Sequence, residues 1–283
     1  MRRSLSAVVL AALVLLSGCS LLGGGTTPTG APTPTPIPTP TPTSTSAATP
    51  TPTPAPADAF PAGYGETGVM DPETALSTHA DSLVNHRSFV VDINGSVATG
   101  SGARVLRRLQ SVDVDDGRAL IAVNGTSSVR RTTYFADGKR YRRVDPPGAD
   151  NVRYEVTDAS LEPRAFTGIG FLTPVLTNLT YGSANVTETA NGTFYAYSAT
   201  GVDRSVLSRL LGPSIDPDNV TRFDAGVVVD EEGIVRQMSY RAVIERDGQR
   251  LVVSVELQTY AIDGVDISPP PWLDEARQAD TGS

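Results

Sequence analysis

Cys19 is the only cysteine among 283 residues, so its thiol is open to modification but cannot close an intramolecular disulfide. It ends the run Leu15-Leu16-Ser17-Gly18, where nothing around it could fold over a buried thiol. His79 and His86 are the only histidines and lie seven apart on one expected helix. They lack a third ligand at fixed spacing, and read as solvated helix residues rather than a metal site. Asp113, Asp115 and Asp116 before Gly117 resemble part of a calcium loop, but ligands at every second position and a glutamate at the twelfth are missing. A hairpin turn is the expectation there, and Asp216 and Asp218 are read in the same way. No Gly-rich phosphate loop follows a strand, and no nucleophile and base pair can be assembled. The expectation is therefore no catalytic residue, no metal, no cofactor and no enzyme. Arg130, Arg131, Arg140, Arg142 and Arg143 crowd one expected hairpin, where they either balance neighbouring acids or offer an anionic site to a lipid head group.

The segments that must carry these residues begin with a leader. Arg2 and Arg3 precede an apolar stretch from Leu5 to Leu16, too short for a hydrocarbon core that needs ~20 residues. Residues 1–18 therefore read as a removable signal peptide, and the adjacent arginines resemble a twin-arginine export signal as well as an ordinary one. Leu15 to Cys19 resembles the lipobox of prokaryotic lipoproteins. That resemblance implies lipidation of Cys19, cleavage before it, and a protein lipid-anchored to the cell membrane and facing the exterior.

Residues 19–57 follow as a linker. From Ser20 to Ala57, 38 residues include 11 prolines and 12 threonines, largely as Thr-Pro repeats. Such a segment has little apolar surface to bury and favours extended polyproline conformations, so a disordered stalk is expected, of the Thr- and Pro-rich composition that carries O-linked sugars in exported proteins. At ~3.1 Å per residue it would reach on the order of 100 Å.

Composition bears on the environment. Formal charge is −8, Lys139 is the only lysine among 23 basic residues, and 21 aspartates face 10 glutamates. An acidic surface nearly free of lysine stays hydrated in concentrated salt, and the profile resembles that of haloarchaeal exported proteins. No basic stripe interleaved with aromatics points to nucleic acid, and that class of partner is excluded. Six of eight asparagines open an Asn-x-Ser/Thr triplet: Asn94, Asn124, Asn178, Asn185, Asn191 and Asn219. They are candidate N-glycosylation sites, although Asn-Gly also serves as turn chemistry at Asn94, Asn124 and Asn191.

Residues 58–273 read as one α+β domain, with a polar tail over 274–283. Asp71 can cap a helix in which Pro72 and Glu73 suit the first turn and Leu76, Ala80, Leu83 and Val84 recur at helical spacing as far as His86. From Ser88 to Val156 the period is two, with hairpin dipeptides at Asn94-Gly95, Asp116-Gly117, Asn124-Gly125 and Asp137-Gly138. Two-residue turns would set Asp115 opposite Arg118 and Tyr134 opposite Tyr141. Between Pro163 and Thr180 an apolar, Gly- and Pro-broken pattern reads as one kinked helix or two short ones. Strands then resume, turning at Asn191-Gly192, and Asp203 to Leu211 reads as a short helix ended by Gly212-Pro213. Three long strands follow from Val220, with Asp247-Gly248 placing Glu245 opposite Arg250 and Ile244 opposite Leu251.

Sequential hairpins predict an antiparallel sheet, and its inner face needs the helices to cover it. The expected fold is a curved antiparallel half-barrel packed on a few helices. Together with the lipobox, Tyr134-Phe135-Ala136-Asp137-Gly138-Lys139-Arg140-Tyr141, the hairpin from Val227 to Val235 and the ending Ile262-Asp263-Gly264-Val265 resemble the half-barrel lipoproteins of the LolA, LppX and LprG type. The resemblance implies a hydrophobic ligand, such as a lipid, bound or carried in a cleft between sheet and helices. Its candidate lining is Phe166, Phe171, Leu172, Leu176, Phe194, Tyr195 and Tyr197, which read equally as ordinary core. The alternative is a structural or interaction glycoprotein of the envelope, with cell-surface proteins as partners and no small-molecule ligand.

Overall fold

The computed structural model describes residues 60–126, 130–148 and 151–281. The expected signal peptide, Cys19 and the Thr/Pro stalk lie outside the described residues.

The chain enters through a short pair, β1 (Tyr64–Gly65) and β2 (Gly68–Val69), into helix α1 (Pro72–Asn85). Asp71 caps α1, its carboxylate accepting from the amides of Glu73 and Thr74 at 3.1 Å. A first meander follows: β3 (Ser88–Thr99), β4 (Gly102–Asp113), β5 (Arg118–Gly125), β6 (Arg130–Ala136), β7 (Lys139–Asp145) and β8 (Arg153–Asp158). A 3-10 turn (Pro163–Phe166) and α2 (Ile169–Asn178) then cross back over the sheet. The second meander comprises β9 (Leu179–Tyr181), β10 (Asn185–Thr189), β11 (Gly192–Val202), helix α3 (Arg204–Leu211), β12 (Val220–Asp230), β13 (Val235–Arg246) and β14 (Gln249–Tyr260). Helix α4 (Leu273–Thr281) ends the described chain.

Twelve strands form one open, curved, antiparallel sheet in the order β10-β11-β12-β13-β14-β3-β4-β5-β6-β7-β8, with β9 alongside the second half of β11. The two meanders join where β14 pairs with β3, from Val252 opposite Ala98 to Tyr260 opposite Val90. This is the expected α+β architecture, a sheet packed on helices and not closed into a barrel.

Local chemistry sets several of the joints. Asp137 and Gly138 both take positive φ, as do Asp247 and Gly248, and the resulting tight turns place Tyr134 opposite Tyr141 and Glu245 opposite Arg250 as expected. Other joints differ. Asp113, not Asp115, stands opposite Arg118, because the β4–β5 connection holds four residues. Its geometry is fixed by the Asp113 side chain accepting from the Asp116 amide at 3.0 Å, and by the Val114 amide donating to the Arg87 carbonyl at 2.7 Å. Asn94-Gly95 is no turn but the middle of β3, and Asn124-Gly125 closes β5 instead of turning it. The β10–β11 turn is Ala190-Asn191, one residue earlier than expected, since Thr189 pairs with Gly192.

Two apolar clusters occupy opposite faces of the sheet. The larger lies under α1, the 3-10 turn, α2 and α3, and joins Leu76, Leu83, Leu172 and Leu211 to Phe89, Ile93, Val229, Met238 and Leu257 of the sheet. Gly168 permits the closest approach: at φ +79 it opens α2, and a Cβ there would lie 2.7 Å from a Leu257 methyl and 3.2 Å from a Val91 methyl. The smaller cluster lies on the other face, where Tyr134 and Tyr141 meet Ile267, Trp272, Leu273 and Ala276. Residues 274–281 are thus largely a packed helix rather than a tail, because Leu273 and Ala276 supply an apolar stripe that β6–β8 can bury.

Candidate functional site

Strand parity decides which side chains can meet a ligand between sheet and helices. On β11, Tyr195 and Tyr197 point into the larger cluster at 7% and 1% exposure, and Phe166, Leu172 and Leu176 belong to the same cluster at 4%, 0% and 1%. Phe171 is half-buried at the margin of the same cluster. Phe194 is the exception: it alternates to the other face and does not join this lining.

A group of aromatics unremarked in the sequence completes the layer at its β11 end. Tyr64 of β1 stacks on Tyr197 with ring centroids 5.5 Å apart, and Phe60 packs on Tyr195 at 5.3 Å. Burial raises the Tyr64, Tyr181, Tyr197 and Tyr240 hydroxyls well above the usual phenol range, so all stay protonated. Tyr181 donates to the Val175 carbonyl at 3.2 Å and Tyr240 to that of Leu210 at 3.1 Å. The hydroxyls of Tyr64 and Tyr197 are buried without a protein partner, as is that of Thr259. The period-two signal at Tyr195 and Tyr197 was legible, but no local pattern could bring Tyr64 from before α1 to β11.

The helix side of the layer is held unevenly. His79, expected to be solvated, is fully buried; its ring sits between elements that arrive only on folding. The Val235 amide donates to Nδ1 at 3.0 Å, which leaves the proton on Nε2 to reach the Thr167 carbonyl at 2.9 Å. Burial, reinforced by the charge of Arg236, lowers its pKa to about 4. The ring therefore clamps α1 to β13 and to the start of α2. His86, by contrast, is partly exposed between Asp263 at 2.9 Å and Glu232 at 3.0 Å; partial burial opposes protonation, but the two carboxylates outweigh it and raise its pKa. Beyond His79 and Thr167, α2 has no side-chain cap, contains Pro174, and buries Leu172, Val175 and Leu176. Its placement rests otherwise on apolar contact and on the Tyr181 hydroxyl donating to the Val175 carbonyl.

On the face away from the helices, β11–β14 and β3 form a shallow polar trough of about 490 Å³ lined by Asn94, Ser96, Ser198, Asp224, Ser239 and Glu256 among others. Asn94 is 1% exposed there, and neither side-chain atom has a protein partner. The other sequons are more open: Asn124, Asn185 and Asn191 are exposed, while Asn178 and Asn219 are half-buried. The Asn178 amide is engaged by the Pro174 carbonyl at 2.8 Å.

The arginines singled out in the sequence separate by parity. Arg131, Arg140 and Arg142 point to the helix side of the sheet and Arg130 and Arg143 to the other. Two arginines of neighbouring strands, Arg108 and Arg153, join the first group, a feature readable only once the register is known. Among the described residues no cluster of His, Asp or Glu could hold a metal ion, and no helix is long and apolar enough to cross a membrane.

The sequence profile of a family of unknown function (DUF7537) matches residues 4–276. No curated protein matches the chain. Among solved structures, it is similar to the Mycobacterium tuberculosis lipoprotein LppX at 11% identity, covering 69% of this chain and 96% of that one, with a TM-score of 0.36. It is also similar to a LolA superfamily protein of Nitrosomonas europaea at 12% identity, covering 69% and 94% of the two chains, with a TM-score of 0.23. A chain of the Pseudomonas aeruginosa MucA/MucB complex matches at 11% identity over 72% of this chain and 60% of its own, with a TM-score of 0.28.

Proposed function

We propose, for a chain that belongs to a family of unknown function (DUF7537), that it is a lipid-anchored envelope protein which holds a hydrophobic ligand between its sheet and its α1–α3 layer. Cys19 carries the anchor, residues 20–57 hold the domain away from the membrane, and the acidic, lysine-poor surface suits an exterior rich in salt, as in haloarchaea. The observation that supports the ligand is the construction of the lid. The sheet is tied by backbone hydrogen bonds from strand to strand, whereas α2 contains Pro174, lacks a capping side chain, and buries Leu172, Val175 and Leu176. An apolar chain can replace such contacts without breaking a backbone ladder, and the unpartnered hydroxyls of Tyr64, Tyr197 and Thr259 offer it polar anchor points inside the layer. Native mass spectrometry of the full chain, compared with its denatured mass, tests this. A co-purifying apolar species of several hundred daltons, lost on denaturation, is the expected result; a clean protein-plus-modification mass after incubation with lipid extract would sink it.

A second reading, an envelope glycoprotein without a small ligand, is favoured by one observation: five of the seven candidate lining residues are at most 7% exposed and packed as core. The two readings share their sugars. Asn124, Asn185 and Asn191 stand exposed and are the proposed glycan carriers, and Asn94 is excluded by burial. Glycopeptide mapping that found Asn94 occupied would contradict this assignment.

A further inference from the structure

The helix-side face of the sheet changes character along its width. One row of directly opposed residues runs Ile93, Arg108, Val123, Arg131, Val144 and Arg153 from β3 to β8. The next two rows end in Arg142 opposite Glu155 and in Arg140 opposite Thr157. The face is therefore apolar at β3, under the helices, and lined by five guanidinium groups from β4 to β8. Glu155 is the only carboxylate in these three rows, and it pairs with Arg142 at 2.8 Å. Among the described residues, Arg131, Arg140 and Arg153 make no ion pair, and the Arg142 Nε is buried without a partner.

Two contacts place this basic face at the mouth of the apolar layer. Phe166, at the end of the 3-10 turn, meets Phe135 edge-on with centroids 5.4 Å apart, and Phe135 stands directly opposite Arg140. Arg108 donates to the Gln110 side chain at 2.8 Å, and Gln110 in turn donates to the Phe166 carbonyl at 3.1 Å. The helix layer thus ends at Phe166 over β4 and β6, and the guanidinium groups lie beside it on those strands, at Arg108 and Arg131, and beyond it on β7 and β8. Burial, then the neighbouring charge of Arg131, makes Arg108 a weaker base than a free arginine, as expected of cations crowded on one face without acids to balance them.

So much unbalanced positive charge on one face of an acidic chain calls for an anion, and its continuity with the apolar layer specifies what kind. Resting on the hydrophobic-ligand reading above, we propose that this face binds the phosphate or sulfate head group of an anionic amphiphile whose chains lie under α1 and α2. Planar guanidinium groups bind such oxyanions through paired donors, and those near the layer's edge are sheltered from salt that screens exposed charges within ~3 Å at 1 M.

The test uses the full chain, delipidated in detergent and mixed with vesicles of dioleoyl phosphatidylglycerol or of dioleoyl phosphatidylcholine. Native mass spectrometry then counts non-covalent lipid per chain. The expected result is about tenfold more bound phosphatidylglycerol, a difference equivalent to roughly 1.4 kcal/mol. In the Arg131→Gln/Arg153→Gln variant, altered at two exposed positions away from the core, the preference should fall toward parity. Arg241→Gln, on the far face, should keep it. Equal binding of the two lipids would overturn the head-group proposal while leaving the apolar ligand standing. No binding of either would overturn both. Complete displacement of phosphatidylglycerol by millimolar inorganic phosphate would show a site for a free anion and overturn the amphiphile.

Discussion

The half of the sheet around β12–β14 and β3 and the half from β5 to β8 are continuous, yet they bury opposite faces. In the first half, the helix side carries Ile93, Val229, Met238 and Leu257, and the outer side carries Asn94, Ser96, Ser239 and Glu256. In the second, the helix side carries Ala119 and Phe135 as far as Phe166 reaches and then the arginines of β6–β8, and the outer side carries Tyr134 and Tyr141 under Trp272 and α4. The exchange occurs because two covers dock on different faces: α1–α3 with the 3-10 turn extend only as far as the contacts of Phe166 with Gln110 and Phe135, and α4 comes back under β7 and β8. A sheet of this kind has one side for apolar contact in each half, and its helix-side surface runs from an apolar seat to a charged one.

The comparison can be broken first at its larger cluster. Leu257→Ala removes a fully buried side chain beside Gly168 and should cost about 4 kcal/mol, within the range for leucine truncation in cores, with global unfolding in a denaturant titration. Trp272→Ala should cost about 3 kcal/mol, at the low end for a buried tryptophan, since its cluster is small. Its mark should be local: hydrogen exchange should speed up in β7, β8 and α4 while β12–β14 remain protected. Equal acceleration throughout would mean that the two halves form a single cooperative unit.

His79 gives a pH-dependent version of the same contrast. Its pKa falls from an unfolded value of 6.5 to about 4 when buried, so folding favours the neutral ring. The stability linked to it is complete above pH 6.5, declines as pH falls below that, and is fully lost below about pH 4, amounting to about 3 kcal/mol. His86 works in the opposite sense, since its raised pKa adds stability at low pH that is lost as pH rises through its folded value. Acid titration followed by hydrogen exchange should therefore loosen α1 and α2 before the Trp272 cluster, and His79→Gln should flatten that response. The smallest effect should be the most even. Gly138→Ala and Gly248→Ala each put a Cβ at positive φ in open space and should cost about 1 kcal/mol in either half, because the strain is confined to the turn.

The turns, caps and helix breaks were legible because their physics spans a few residues. Asp71 and Asp203 cap α1 and α3 as their spacing suggested, and Asp137-Gly138 and Asp247-Gly248 turn as their dipeptides require. Asn94-Gly95 carries similar turn chemistry but lies mid-strand, since hydrogen bonding to both β14 and β4 outweighs a local preference. The candidate lining was half legible for the same reason. Tyr195 and Tyr197 line the layer as expected, but Phe194, expected beside them, alternates to the other face, and no local pattern signalled Tyr64, which arrives from before α1.

By itself, the order of residues determined the caps of α1 and α3, the pairings across the Asp137-Gly138 and Asp247-Gly248 turns, and that the chain is acidic, with a single thiol at Cys19. Only the tertiary structure decided which face each half of the sheet buries, that His79 is a clamp instead of a solvated residue, and that five arginines from β4, β6, β7 and β8 share one surface. Those outcomes depend on contacts between residues far apart in the chain, whose energies arise only when the covering helices dock.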